Sequence, residues 1–213
     1  MLNIRTYTLG PVQTNCYIIS NKKKECLVID PGSEGERIVQ QLRALNLRPL
    51  AILLTHAHFD HIGAVDAVRD AFKVPVYLHK AETDWVIDPM KNGSGRYAEL
   101  PNITTRPADH VIDQPQELTI GPFEFEIVHT PGHSPGSISF IFKDEGFAIV
   151  GDTLFQGSVG RTDLVGGNEK LLLKSIHDKL LSLDENLIVY PGHGDATTIG
   201  TEMEQNPFLN GFL

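Results

Sequence analysis

The apolar run "LAILLT" (residues 50–55) passes without a break into "HAHFDH" (residues 56–61). Six apolar or β-branched residues in a row have strand length and no alternation. They read as a strand covered on both faces, which requires helices or a second layer on each side of its sheet. The run then delivers three histidines and an aspartate to a single strand end. In a chain with nine histidines, H-x-H-x-D-H arises by chance in roughly one chain in a thousand, so the pattern is specific.

Three later positions repeat the arrangement. His133 lies in "HTPGHSPGS", Asp152 in "AIVGDTLF" and His193 in "VYPGHG". Each follows an apolar strand-like run, and Pro131-Gly132 and Pro191-Gly192 supply sharp turns just before the histidine. Imidazole is the commonest metal ligand, and a carboxylate adds an anionic oxygen. His56 and His58, two apart, can aim at one ion and His133 can complete that set. Asp60 and His61 can serve a second ion together with His193, and Asp152 can bridge the two. A pair of ions about 3.5–4 Å apart holds hydroxide at neutral pH. All these donors are N or O, so zinc, iron and manganese are each acceptable, with zinc the first expectation.

The remaining polar candidates take plainer readings. His79, His110 and His177 read as surface or internally satisfied groups. His129, four residues before His133, can support a ligand from behind. Asp30, in "LVIDPG", is either a turn residue or the acceptor that fixes a ligand histidine's tautomer. Cys16 and Cys26 sit in apolar stretches and read as small core residues.

Along the rest of the chain, "TNCYIIS" and "ECLVID" read as a hairpin about "NKKK", a solvated turn. Helical spacing appears near Arg37–Leu45 and again in "GAVDAVRDAF". "VPVYLH" reads as a strand, and residues 88–110 as a long surface excursion. The second half carries the strands "ELTIG", "FEFEIVHT", "SISFIF" and "GFAIV". "NEKLLLKSIHDKLLSL" is an amphipathic helix with Asn168 as its N-cap. "NLIVY" is a last buried strand, and a short helix closes the chain near Ile199–Gln205. Strands and helices mix in both halves, which predicts an α+β protein of two packed sheets with helices outside. Its 213 residues suit one domain, 1–213. The net charge of −9 and the lack of a basic stripe argue against nucleic acid. No signal peptide and no membrane-length apolar run is readable, so the expected location is the cytoplasm. Oligomeric state is not legible.

Taken together, "THAHFDHIG", "TPGHSPGS", "GDTLF" and "PGHG" resemble the metal-binding motifs of the metallo-β-lactamase superfamily. The match is best with its glyoxalase II (hydroxyacylglutathione hydrolase) branch, in the short single-domain bacterial form. The resemblance implies an αβ/βα sandwich. It implies His56, His58 and His133 on metal 1, Asp60, His61 and His193 on metal 2, and Asp152 on both. It also implies thioester hydrolysis by a metal-bound hydroxide, with Asp60 as a proton acceptor and a small-molecule thioester as substrate. The aspartate of "GD", Asp152, suits thioesterases rather than true β-lactamases.

Departures from that pattern shift the substrate expectation. Only about 20 residues follow His193, so the separate C-terminal helical domain that binds glutathione in larger relatives is not expected. Arg161 falls where those relatives contact the glutathione glycine carboxylate, but Asp163 replaces the expected tyrosine. The expected substrates are therefore S-D-lactoylglutathione-like esters or esters of another small thiol. "GRTD" also resembles iron-dependent persulfide dioxygenases, the first alternative. A non-catalytic metal-binding module is the second.

Overall fold

Alternating and β-branched residues near the start build three antiparallel strands. These are β1 (Asn3–Leu9), β2 (Thr14–Ser20) and β3 (Glu25–Ile29). The computed structural model describes residues 1–99 and 101–210. It divides into two compact units, Met1–Asp113 and a second beginning at Gln114. The predicted hairpin is β2–β3; β1 was not foreseen, because its burial is only partial and its apolar signal correspondingly weak.

In the first unit the chain continues through α1 (Gly35–Ala44), β4 (Arg48–Leu53), α2 (Phe59–Ile62), α3 (Val65–Phe72), β5 (Val76–His79), α4 (Pro89–Asn92) and β6 (His110–Ile112). The six strands form one sheet in sequence order. From β3 onward every pairing is parallel, so β3, β4 and β5 all end at the same edge. The C-terminal half of β4 is fully buried, as its unbroken apolar run required. Ile38 and Leu42 of α1 and Val65 and Val68 of α3 supply the apolar helix faces. A Cβ on Gly35 would stand 2.5 Å from the Cβ of Ala67, so glycine permits the close approach of α1 to α3. The excursion expected at residues 88–110 is broken by short turns and ends in β6.

The second unit holds β7 (Gln116–Ile120), β8 (Phe123–His129), β9 (Ile138–Phe142), β10 (Phe147–Gly151), the small hairpin β11 (Leu154–Phe155) and β12 (Ser158–Val159), α5 (Glu169–Ser175), β13 (Ile188–Pro191), β14 (Thr197–Thr198) and α6 (Ile199–Gln205). Its sheet runs β14-β13-β10-β9-β8-β7. β10 and β13 are parallel, while β8–β9 and β9–β10 are antiparallel. It follows that β8, β10 and β13 point the same way. Leu172, Ile176 and Leu180 pack in one apolar cluster with Ala148, Val150 and Val189.

Asn168 caps α5 as predicted, its Oδ1 accepting from the Leu171 amide at 3.0 Å. The single helix expected over residues 168–183 is instead α5 followed by a π-helical turn, Ile176–Leu180. A single π turn of five residues is too short to register in the apolar periodicity of the segment. Both sheets are mixed and both carry helices, as expected. Among the described residues no helix is long and apolar enough to cross a membrane.

Candidate functional site

The parallel edge of the first unit explains how its donors are held. β4 ends at Leu53 and leads through Thr55 into His56. β3 ends beside it, and Asp30 donates its amide to the Leu53 carbonyl at 3.1 Å. Asp30 is buried and adopts φ 49°, a left-handed geometry that aspartate tolerates better than most residues. Its Oδ1 accepts from the Thr55 amide at 2.8 Å. Its Oδ2 accepts from the Thr55 hydroxyl at 2.6 Å and lies 2.9 Å from Nδ1 of His61. The Thr55 hydroxyl, its own proton committed to Asp30, sits 3.1 Å from Nδ1 of His56 and so acts there as acceptor. Both imidazoles thereby carry their proton on Nδ1, and Nε2 keeps the lone pair. Of the two readings left open for Asp30, the structure shows no turn there, while its carboxylate fixes the tautomer of His61, a candidate ligand.

The ligand-capable atoms of His56 and His58 lie within 4.8 Å of one another, as do those of His56 and His61, and those of Asp60 and His61. Asp60 accepts from the Thr14 hydroxyl at 2.7 Å, and its Oδ2 is 3.5 Å from Nε2 of His61. The ring of His58 rests 5.6 Å from that of Trp85. Between the two histidines, the Ala57 amide donates at 2.6 Å to Glu82, a fully buried carboxylate. A Cβ on Gly32 would fall 1.6 Å from the Asp60 carbonyl oxygen. Glycine is what lets the loop after β3 press against the donor turn.

In the second unit the three strands of common direction bring their donors to one edge. The Gly192 amide donates to the Gly151 carbonyl at 2.8 Å, which places Asp152 and His193 on adjacent strand ends. Oδ2 of Asp152 is 3.4 Å from Nε2 of His193 and 3.6 Å from Nε2 of His133. Nδ1 of His133 donates to the Arg161 carbonyl at 2.8 Å, again leaving Nε2 as the ligand atom. Gly160 fits beneath: a Cβ there would stand 1.9 Å from the Asp152 carbonyl oxygen.

These separations fit a divalent cation. Two ligands about 2.1 Å from one ion at tetrahedral angles are themselves about 3.4 Å apart. That is longer than a good hydrogen bond and close to the three carboxylate–imidazole distances above. Fixed Nδ1 protons on His56, His61 and His133 are the usual arrangement behind metal-bound histidines.

Other expectations resolve simply. His79 is buried and its Nδ1 accepts from the Ala81 amide at 3.3 Å. His110 is exposed and stacks 4.4 Å from Tyr77. His177 is exposed. His129 donates from Nε2 to the Pro135 carbonyl at 2.9 Å, tying the strand end to the loop that carries His133. Cys16 and Cys26 are free and buried. Burial pushes the Cys16 thiol far above its ordinary range and the Cys26 thiol up to about 12, so both are inert core groups. Arg161 forms a bidentate pair with Asp163, at 2.7 Å for each contact. Sequence reasoning did not find Glu82 or the Arg161 carbonyl. "KAET" looks like a solvated turn, and a carbonyl's role has no side-chain signature.

Comparison with known proteins places the chain in a family. The metallo-β-lactamase superfamily profile matches residues 9–193, a span that includes every donor named above. The probable metallo-hydrolase YqgX of Bacillus subtilis (strain 168) is 53% identical over 208 residues, 98% of each chain. The hydroxyacylglutathione hydrolase GloC of Haemophilus influenzae is 40% identical over 210 residues, 98% of this chain and 99% of that one. Among solved structures, the BLEG-1 B3 metallo-β-lactamase matches with TM-score 0.96 and 55% identity, covering 98% of this chain and 100% of that one. TTHA1623 in a di-iron-bound form matches with TM-score 0.85 and 39% identity, covering 96% and 100%.

Proposed function

Because this chain belongs to the metallo-β-lactamase superfamily, we propose that it is a metal-dependent hydrolase of small thioesters, S-D-lactoyl esters of glutathione or of another low-molecular-weight thiol. The observation that carries the reading is its similarity, over almost the whole of both chains, to the hydroxyacylglutathione hydrolase of Haemophilus. His56, His58 and His133 are assigned to one ion, Asp60, His61 and His193 to a second, and Asp152 to both. The donors accept zinc, iron or manganese; zinc is the first expectation and the di-iron relative makes iron the next. Ions held there would polarise a thioester carbonyl and lower the pKa of bound water toward neutrality.

The chain's own residues then have definite tasks. Asp30 and Thr55 keep His56 and His61 in the Nδ1–H tautomer, and the Arg161 carbonyl does the same for His133. Asp60, steadied by the Thr14 hydroxyl, is assigned as the carboxylate that takes up a proton at Oδ. The Arg161 guanidinium is the proposed contact for a carboxylate on the thiol, in competition with Asp163.

The test is turnover of a thioester panel that varies the thiol and the acyl group separately, with the metal content measured on the same sample. Hydrolysis of lactoyl thioesters is the expected result. A second reading, β-lactam hydrolysis, is favoured by the 55% identical B3 structure, so a chromogenic β-lactam belongs in the panel. A glutathione persulfide with dissolved O₂ tests the dioxygenase alternative. Turnover of either of these with no thioesterase activity would overturn the proposal.

A further inference from the structure

The loop that carries His133 is seated on one face of α5 and its π turn. The Asn168 amide donates to the Gly132 carbonyl at 2.7 Å. The Ser175 hydroxyl, buried, donates to the Pro131 carbonyl at 2.7 Å. The Lys179 ammonium donates to the His129 carbonyl. Gly132 has φ 136°, and a Cβ there would lie 2.2 Å from the Leu172 amide nitrogen, so the loop backbone lies directly against the helix.

The pattern has a simple geometric basis. Carbonyls two residues apart on an extended segment face the same side, and side chains four apart on a helix share a face. Ser175 and Lys179 are four apart, and His129 and Pro131 are two apart. The π turn spans the helix between these two donors, with the Leu181 amide reaching back to the Ile176 carbonyl at 2.9 Å. Single π turns inside helices recur at functional sites.

We propose that Ser175 and Lys179 are positioning residues for His133, holding its loop through the carbonyls of Pro131 and His129 and so setting the affinity for the ion that His133 ligates. This rests on the assignment of His133 as a metal ligand. The Arg161 carbonyl fixes the imidazole's tautomer from one side; α5 fixes the backbone from the other. The two constraints together leave the ring little freedom.

The test is titration of the full-length apoprotein with Co(II) against a chelating competitor, followed by the cobalt d–d absorption, with thermal unfolding of each apo variant alongside. Lys179→Met and Ser175→Ala should each weaken one of two ions by roughly tenfold, the effect usual for a supporting partner, and leave the other unchanged. Lys179→Arg should restore both the affinity and the spectrum. Ile176→Val, which trims an apolar side chain of the same turn within the core cluster, should lower the unfolding temperature and leave cobalt affinity alone. His133→Ala should remove one ion. If His133→Ala removes an ion while Lys179→Met and Ser175→Ala bind cobalt as the wild type does, the positioning role is wrong and the ligand assignment stands. If His133→Ala retains both ions, the ligand assignment falls and the proposal with it. An affinity loss in Ile176→Val equal to that in Lys179→Met would also overturn it, since the effect would then be general destabilisation.

Discussion

At the scale of single residues, Asp30 carries more of the site than its place in "LVIDPG" suggests. One carboxylate serves His61 directly and His56 through Thr55. Asp30→Asn replaces an acceptor oxygen by an NH₂ that cannot accept from Thr55 or from His61. Metal affinity should fall by roughly 10- to 100-fold, measured by competitive titration, while a variant at exposed His177 should bind as the wild type does. Asp163 invites the opposite experiment. It occupies the guanidinium of Arg161 in an exposed pair, which contributes little to stability in water. Asp163→Ala should leave the unfolding temperature almost unchanged and lower KM for thioesters whose thiol bears a carboxylate. An unchanged KM would argue that Arg161 does not meet the substrate. The candidate ligand residues stand out in the sequence because each sits in a short motif at a strand end. Asp30, Thr55 and Glu82 were only partly legible or not at all. Their roles depend on which strand ends lie side by side, and that adjacency is a property of the sheet.

At the scale of elements, strand direction assembles the donors. β3, β4 and β5 end together in one sheet, and β8, β10 and β13 end together in the other. Apolar runs announced β9, β10 and the end of β4 because strands buried on both faces carry no competing alternation; β13, expected as a buried strand, buries only Val189 and Pro191 and leaves Ile188 exposed. β1 and the two-residue β14 escaped notice, one being half-exposed and the other too short to show a period. The α5 start was readable from Asn168, and Asn168→Ala should cost about 1 kcal/mol in chemical unfolding. Gly132 is far less tolerant. Its φ of 136° and the closeness of the Leu172 backbone mean that Gly132→Ala should destabilise the apoprotein by about 3 kcal/mol. A loss below about 0.5 kcal/mol, the size of an ordinary surface substitution, would show that the loop is not pressed on α5 as described.

At the scale of the whole molecule, each unit carries candidate metal donors at one edge of its sheet, and all of them fall within the span matched by the metallo-β-lactamase superfamily. The order of the motifs carried the family in the sequence; the thiol, the acyl group and the native metal are set by surfaces and by metal supply that no motif encodes. Metal binding should also stabilise the fold. A free-ion concentration a thousandfold above Kd adds about 4 kcal/mol per ion, so chelation should lower the unfolding temperature and re-addition of metal should restore it. Asp152→Ala should lose metal and turnover together while the apoprotein stays folded. The most direct test of the central claim is lactoyl-thioester turnover measured against metal ions per chain as a chelator strips the native protein. The account predicts two ions per chain at the start and activity that falls to background as they leave; full turnover in metal-free protein would contradict it.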